Sequence, residues 1–450
     1  MVIGLACALA HQIQLNESNP LGFHESFNWP RLRCWLGLWL ILVLLAGCLA
    51  DEATPSLTLW AMGREGEAVQ GLTAEFERRH PSLRVQVQQI PWSAAHEKLL
   101  TAFAGDALPD VIQLGNTWVP EFAALEAIAP LEPEDAAVDD VFPGILASSQ
   151  IDDRLLAMPW YVDTRLLFYR KDVLAQAGFD RPPTTWADWR EAMARIVALP
   201  GPSRFALLLP LNEWQPLAVL ALQAGATLLR DADRHADFQS PAFRRAFGFY
   251  LDLFRRGYAP ALAEAQLSNL YQDFAEGRFA FYISGPWNLG EFRQRLPARV
   301  QEHWDTAPMP GPDGPGVSLA GGSSLAVCRS SRQPETARAL VKFLTEPEQQ
   351  VAFYRLTGDL PARRSAWGHP DLAHAPHTEA FRRQLDQVRP TPKIPEWERI
   401  ADKISHFAEK TVRGELGEDE ALAALDAEVN RILAKRRWLL DKAESRESRP

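Results

Sequence analysis

Cysteine is nearly absent from this chain: Cys7, Cys34, Cys48 and Cys328 are all that 450 residues contain. So few thiols exclude a disulfide framework and a cysteine-based metal site. A net positive charge is also lacking, since 47 basic residues stand against 57 acidic ones and leave a formal net charge of -10. That balance disfavours sequence-independent binding to polyanions, and no nucleic acid partner is expected. Neither a G-x-S-x-G elbow nor a G-x-x-x-x-G-K-[ST] loop occurs, which argues against an α/β-hydrolase or an NTPase. Internal repeats and low-complexity segments are missing as well. No apolar run reaches the ~20 residues that a membrane-spanning helix needs.

The longest such run, Cys34 to Ala46, has 13 residues, follows Arg31 and Arg33, and is the right length for the h-region of a signal peptide. Leu45-Ala46-Gly47-Cys48 at its end resembles the lipobox of bacterial lipoproteins. That resemblance implies cleavage before Cys48 and lipidation of its thiol. Residues 1–30, with Pro20 and Pro30, form no n-region and are set aside from the fold. Cys328 is then the one thiol left in the mature body, and its place after Leu325-Ala326-Val327 suits a small buried hydrophobe.

What the chain has is length, 47% hydrophobic content and a regular alternation of patterns, enough for a large core in two or three lobes. Past a polar tether, residues 49–56, Leu57 to Ala61 reads as a strand. Glu67 to Arg79 reads as a helix ended by Pro81, Leu83, Val85 and Val87 as a strand, Trp92 to Ala104 as a helix, and Asp110 to Leu114 as a strand. This β-α-β-α-β order predicts a parallel sheet covered by helices. A second unit opens with a strand at Arg165 to Tyr169. Helices are expected at Asp172 to Ala177, from a capping-box-like Thr185-Trp186-Ala187-Asp188 to Val197, at Pro216 to Ala224 and at Pro241 to Arg256, before a strand at Arg278 to Ser284. The turn-rich Pro308 to Gly316 looks like a crossing between lobes. Ser324 to Cys328 then reads as a strand, Pro334 to Leu344 as a helix, and two amphipathic helices close the chain around Ile400 and Leu425. The clustered His369, His374 and His377 read as exposed loop residues, not as metal ligands.

Fifteen tryptophans form the informative signal, because several sit beside polar residues at strand ends. Examples are Gly115-Asn116-Thr117-Trp118, Pro159-Trp160-Tyr161-Val162-Asp163, Asn212-Glu213-Trp214 and Gly285-Pro286-Trp287-Asn288. Ligands of open α/β sheets bind at the carboxyl ends of strands. A sugar offers apolar C–H faces and a rim of hydroxyls, so its site needs flat rings and fixed polar groups together. Core packing is the competing role for each ring, and it weighs more for Trp118 and Trp160 than for Trp214 and Trp287.

Taken in order, Leu72-Thr73-Ala74-Glu75-Phe76-Glu77 with Pro81, Pro109-Asp110-Val111, Pro159 to Asp163 leading to Phe168-Tyr169-Arg170-Lys171-Asp172, Pro183-Thr184-Thr185-Trp186, Gly285-Pro286-Trp287 and Ala320-Gly321-Gly322-Ser323 resemble the extracellular solute-binding proteins of bacterial carbohydrate ABC importers, the maltose- and trehalose-binding-like class. The resemblance spans residues 57–435. It implies a two-lobed α/β periplasmic-binding-protein fold (type II) with a hinge, lobe 1 from 57–160 and 312–356, and lobe 2 from 161–311 and 357–440. It also implies a sugar ligand, a di- or oligosaccharide, delivered to the transmembrane subunits of an ABC permease by a monomer without cofactor, metal or catalytic residues. The place would be the periplasmic or extracellular face of a membrane, held there through the lipid on Cys48. Carried over by position, Glu65, Asn116, Tyr161, Asp163 and Trp287 would contact the sugar, and Gly322 and Ser323 would line the cleft, although some relatives carry an aromatic residue in place of Ser323. Asn288 joins them as a neighbour and Trp214 on its chemistry alone. Two other readings remain open. A receptor of the same fold could take a polyamine, glycerol phosphate or iron, and a glycoside hydrolase could use Glu65, Asp163 and Glu213.

Overall fold

Leu57, Leu59 and Ala61 alternate with half-exposed residues, and this period of two builds strand β1, Ser56–Met62, an interior strand of a sheet. In the computed structural model, which describes residues 56–132, 137–200, 204–263, 266 and 269–447, β1 leads into helix α1, Gly63–Arg79, whose Val69, Leu72 and Phe76 are buried. Strand β2, Arg84–Ile90, helix α2, Trp92–Ala104, and strand β3, Val111–Gly115, complete the expected β-α-β-α-β unit. Both β2 and β3 pair with β1 in parallel. Signal segment, tether and Cys48 lie outside the described residues.

Strand β4, Met158–Asp163, ends only two residues before β5, Leu166–Arg170. The two strands belong to different sheets, so Thr164 and Arg165 form a crossing. Helix α3, Trp186–Val197, starts at an N-cap, Thr185, whose side chain accepts the Asp188 amide at 3.0 Å. Then come the short strand β6, Leu207–Leu208, helices α4, Gln215–Gln223, and α5, Pro241–Arg255, and strand β7, Phe281–Ser284. Helix α6, Trp287–Arg295, follows where the sequence suggested only a loop. Strand β8, Trp304–Ala307, precedes the turn-rich stretch, whose Gly311 carbonyl accepts the Trp186 amide at 2.7 Å.

Strand β9, Gly321–Val327, lies back in the first sheet. Helices α7, Pro334–Leu344, and α8, Pro347–Thr357, lead to the short strand β10, Leu360–Pro361. Helices α9, Trp397–Val412, α10, Glu418–Ile432, and α11, Ala434–Glu447, end the described chain.

One sheet has six strands in the order β10-β4-β9-β3-β1-β2, with β9 antiparallel to β3 and β4. The other has four in the order β8-β5-β7-β6, with β5 antiparallel to both neighbours. The division read from sequence at 160/161 falls inside β4, which continues to Asp163, and that at 356/357 falls in the last turn of α8, ahead of β10, which pairs with β4.

One histidine differs from its reading, while Cys328 agrees with its own. His377 is not an exposed loop histidine: its ring stacks on Trp304 at 3.7 Å and its Nδ1 lies 2.9 Å from Asp305. Cys328 is 1% exposed, and burial pushes its thiol well above the ordinary range, as suits a packed hydrophobe.

Candidate ligand-binding site

The carboxyl ends of β1, β3 and β4 face those of β7 and the start of α6 across a cavity of about 840 Å³. Its lining joins residues distant in sequence, among them Glu65, Asn116, Tyr161, Asp163, Trp214, Trp287 and Gly322.

On the wall built by the six-stranded sheet, Glu65 sits in the first turn of α1, where the helix dipole favours a carboxylate. A chain of bonds fixes it. The Met62 amide donates to Gln113 Oε1 at 2.7 Å, Gln113 Nε2 donates to Tyr161 Oη at 3.4 Å, and Tyr161 Oη donates to Glu65 Oε1 at 2.9 Å. Trp92 Nε1 donates to the same carboxylate at 3.2 Å. Burial raises the Glu65 pKa despite these donors, and burial with the Glu65 charge raises the Tyr161 phenol well above its usual range. Nearby, Asp359 is only 6% exposed, and burial together with the Glu65 charge pushes its carboxyl up to about 8. Asn116 Oδ1 accepts from Ser324 Oγ at 2.8 Å, while its Nδ2 is buried without a partner.

The other wall centres on Trp287, whose ring centroid lies 4.6 Å from the Arg165 guanidinium. Arg165 Nη1 in turn donates to Asp163 at 3.0 and 3.2 Å, across the crossing between the sheets. Burial raises the Asp163 carboxyl and the Arg165 charge opposes it. Trp214 meets Trp397 edge-on at 5.3 Å, so α9 braces that ring.

Two residues assigned from sequence turn away from the cavity. Asn288 is 2% exposed, its Nδ2 donating to Ser284 Oγ at 2.5 Å and its Oδ1 accepting from Tyr271 Oη at 3.2 Å, so it supports Tyr271 from behind. Ser323 is fully buried and donates to the Leu114 carbonyl at 2.9 Å, because neighbours in a strand face opposite sides and Gly322 takes the cavity side. Conversely Arg64, Trp92, Arg165, Tyr271, Glu291, Asp359 and Glu398 line the cavity and were not singled out for it, and Trp118, for which core packing weighed more, lines it too. Trp92 follows Pro91 at the end of β2, the same strand-end signal that marked the other rings. Trp160 is a core residue, its ring tilted against Phe353 at 4.2 Å.

Two α/β lobes, a double crossing and a polar, aromatic cleft between them define a receptor that encloses a solute. The chain belongs to the bacterial extracellular solute-binding proteins, whose pattern it matches over residues 61–351. Its fold is similar to that of the sugar-binding protein MalE of the phytopathogen Xanthomonas citri, with 47% identity, a TM-score of 0.82, and coverage of 86% of this chain and 99% of that one. The acarbose-binding GacH receptor of Streptomyces glaucescens is 25% identical with a TM-score of 0.75, over 85% of this chain and 99% of its own. By sequence the chain is 24% identical to the diacetylchitobiose binding protein DasA of Streptomyces coelicolor, over 89% of this chain and 98% of that protein. The family and these relatives are binding proteins, not enzymes.

Proposed function

We propose that this protein captures a di- or oligosaccharide in its cleft and delivers it to the transmembrane subunits of an ABC importer, without turning the sugar over. The observation that carries the reading is the pairing of aromatic rings with carboxylates at two places in the cleft: Trp92 with Glu65 on one wall, and Trp287 of the other wall with the Asp163–Arg165 pair at the crossing. Rings accept the C–H faces of a pyranose and the acids accept its hydroxyl protons. A cavity of about 840 Å³ exceeds what one monosaccharide fills, and the relatives include a sugar-binding protein, a receptor solved with acarbose and a diacetylchitobiose binding protein.

The charge of the lining narrows the class further. Even with Asp359 protonated, Glu65, Asp163, Glu291 and Glu398 outnumber Arg64, Arg165 and Arg295, which favours neutral sugars over phosphorylated ones and speaks against a glycerol phosphate ligand. In this reading lipidated Cys48 is a leash that keeps the receptor beside its permease, on the periplasmic or extracellular face, and the receptor acts as a monomer.

A thermal-shift screen over mono- and disaccharides tests the assignment. A ligand that binds only the folded state adds ~2.7 kcal/mol at one hundred times its Kd and raises the melting temperature accordingly. A screen in which glycerol phosphate or a polyamine shifts the protein and no sugar does would replace the proposal with the non-sugar reading. Release of reducing ends from a binding oligosaccharide would replace it with the hydrolase.

A further inference from the structure

We infer that Gly285 is a specificity-determining positioning residue: its missing side chain lets the Trp287 indole lie against the Asp163 carboxylate, so that ring and acid form one subsite. The inference rests on the sugar reading above and adds to it a residue that touches no ligand itself. A Cβ built on Gly285 would stand 1.8 Å from Trp287 Cζ3, 2.5 Å from Cη2, and 2.6 Å from Asp163 Oδ1. Those separations are far inside van der Waals contact, so any side chain there displaces the ring, the carboxylate or both.

The remaining supports of this unit are known. Arg165 lies over the ring at 4.6 Å and holds both Asp163 oxygens, at 3.0 and 3.2 Å, which leaves the ring a single seat between guanidinium and glycine. Trp287 keeps 37% of its surface exposed, so the ring can move without opening the core. An added methyl therefore costs the site more than it costs the fold.

The opposite wall repeats the arrangement. A Cβ on Gly63 would lie 2.8 Å from Trp92 Cδ1 and 3.0 Å from Glu65 Oε2. Each wall thus has a glycine that admits an indole against an acid. Gly63 has φ +46°, a conformation that strains any substituent, so a change there would confuse backbone strain with ring displacement. Gly285 has no such restriction and is the position to test.

The experiment compares wild type, G285A, W287F and G285A/W287F by calorimetric titration with the sugar that shifts the wild type most, together with near-ultraviolet circular dichroism and tryptophan emission of the ligand-free proteins. G285A is expected to bind roughly tenfold more weakly, the size of a lost aromatic stack, with an altered ligand-free tryptophan spectrum. The Cζ3 and Cη2 atoms that meet the methyl are absent from phenylalanine, so G285A/W287F is expected to bind as W287F does, a non-additive result. Wild-type affinity in G285A, or losses that multiply in the double variant, would overturn the inference. If G285A does not fold, the double variant must fold and match W287F, and its failure overturns the inference equally. Should wild type bind no sugar, the functional reading falls, while an unchanged ligand-free spectrum in G285A sinks the positioning role by itself.

Discussion

Asp359 reaches the cavity from the loop after α8, and its neighbour Glu65 comes from the far end of the sequence. Burial and the Glu65 charge raise its carboxyl from an ordinary 3.8 to about 8. The folded chain therefore holds a proton that the unfolded chain has already released, and stability falls as pH rises between those two values. The slope is at most about 1.4 kcal/mol per pH unit. Asp359→Asn is expected to flatten the decline and to raise the melting temperature at pH 8 above that of wild type. Thermal denaturation from pH 5 to pH 8.5 checks this, and equal slopes for both proteins would contradict it. Sequence could not have pointed to Asp359, because no local pattern marks it and only the fold sets it beside Glu65. Glu65, Asn116 and Asp163 came within reach through the family resemblance, each lying at or just past the end of a strand. Ser323 misleads because the two glycines before it carry no side chain to mark which face of β9 meets the cavity.

Elements were legible where one face is apolar and the ends are punctuated. Helix α3 is the clearest case, with Trp186, Trp189, Met193 and Ile196 buried and Thr185 closing its first turn. Thr185→Ala is expected to lower stability by about 1 kcal/mol in urea denaturation while leaving sugar affinity unchanged, since no residue of α3 lines the cavity. A large loss of affinity would show that the lobe of the four-stranded sheet transmits its strain to the site. Helix α8 escaped notice for a physical reason. Its buried face includes Gln350, which donates to the Pro159 carbonyl at 3.1 Å and accepts the Arg363 amide at 2.9 Å, and a polar residue in that place breaks the apolar period. Helix α6 was hidden differently, since Gly285 and Pro286 read as loop punctuation although a proline just ahead of a helix suits its opening.

At the scale of the molecule, the two walls of the cavity ride on different sheets, and the chain passes between them at Thr164 and Arg165. A sugar that touches both walls binds the closed arrangement better than an open one, and this differential affinity is the only way a ligand can shift the equilibrium. The ion pair that spans the cleft is weak by comparison. Arg64 Nη1 on α1 stands 3.9 Å from Glu291 Oε1 on α6, with the Arg64 side chain 48% exposed, and an exposed pair of this kind contributes ~0–1 kcal/mol. Such a pair cannot hold the lobes shut without ligand, whereas micromolar binding supplies about 8 kcal/mol to share between capture and closure. Because Arg165 carries Trp287 and sits in the crossing itself, a sugar stacked on that ring presses directly on the segment that must bend. Small-angle scattering is therefore expected to show a smaller radius of gyration when a binding sugar is added, and no change with a sugar that leaves the melting temperature unmoved. A sugar that binds tightly without compacting the protein would mean that the cleft is closed before the ligand arrives, and that the crossing at Thr164 and Arg165 is a strut, not a hinge.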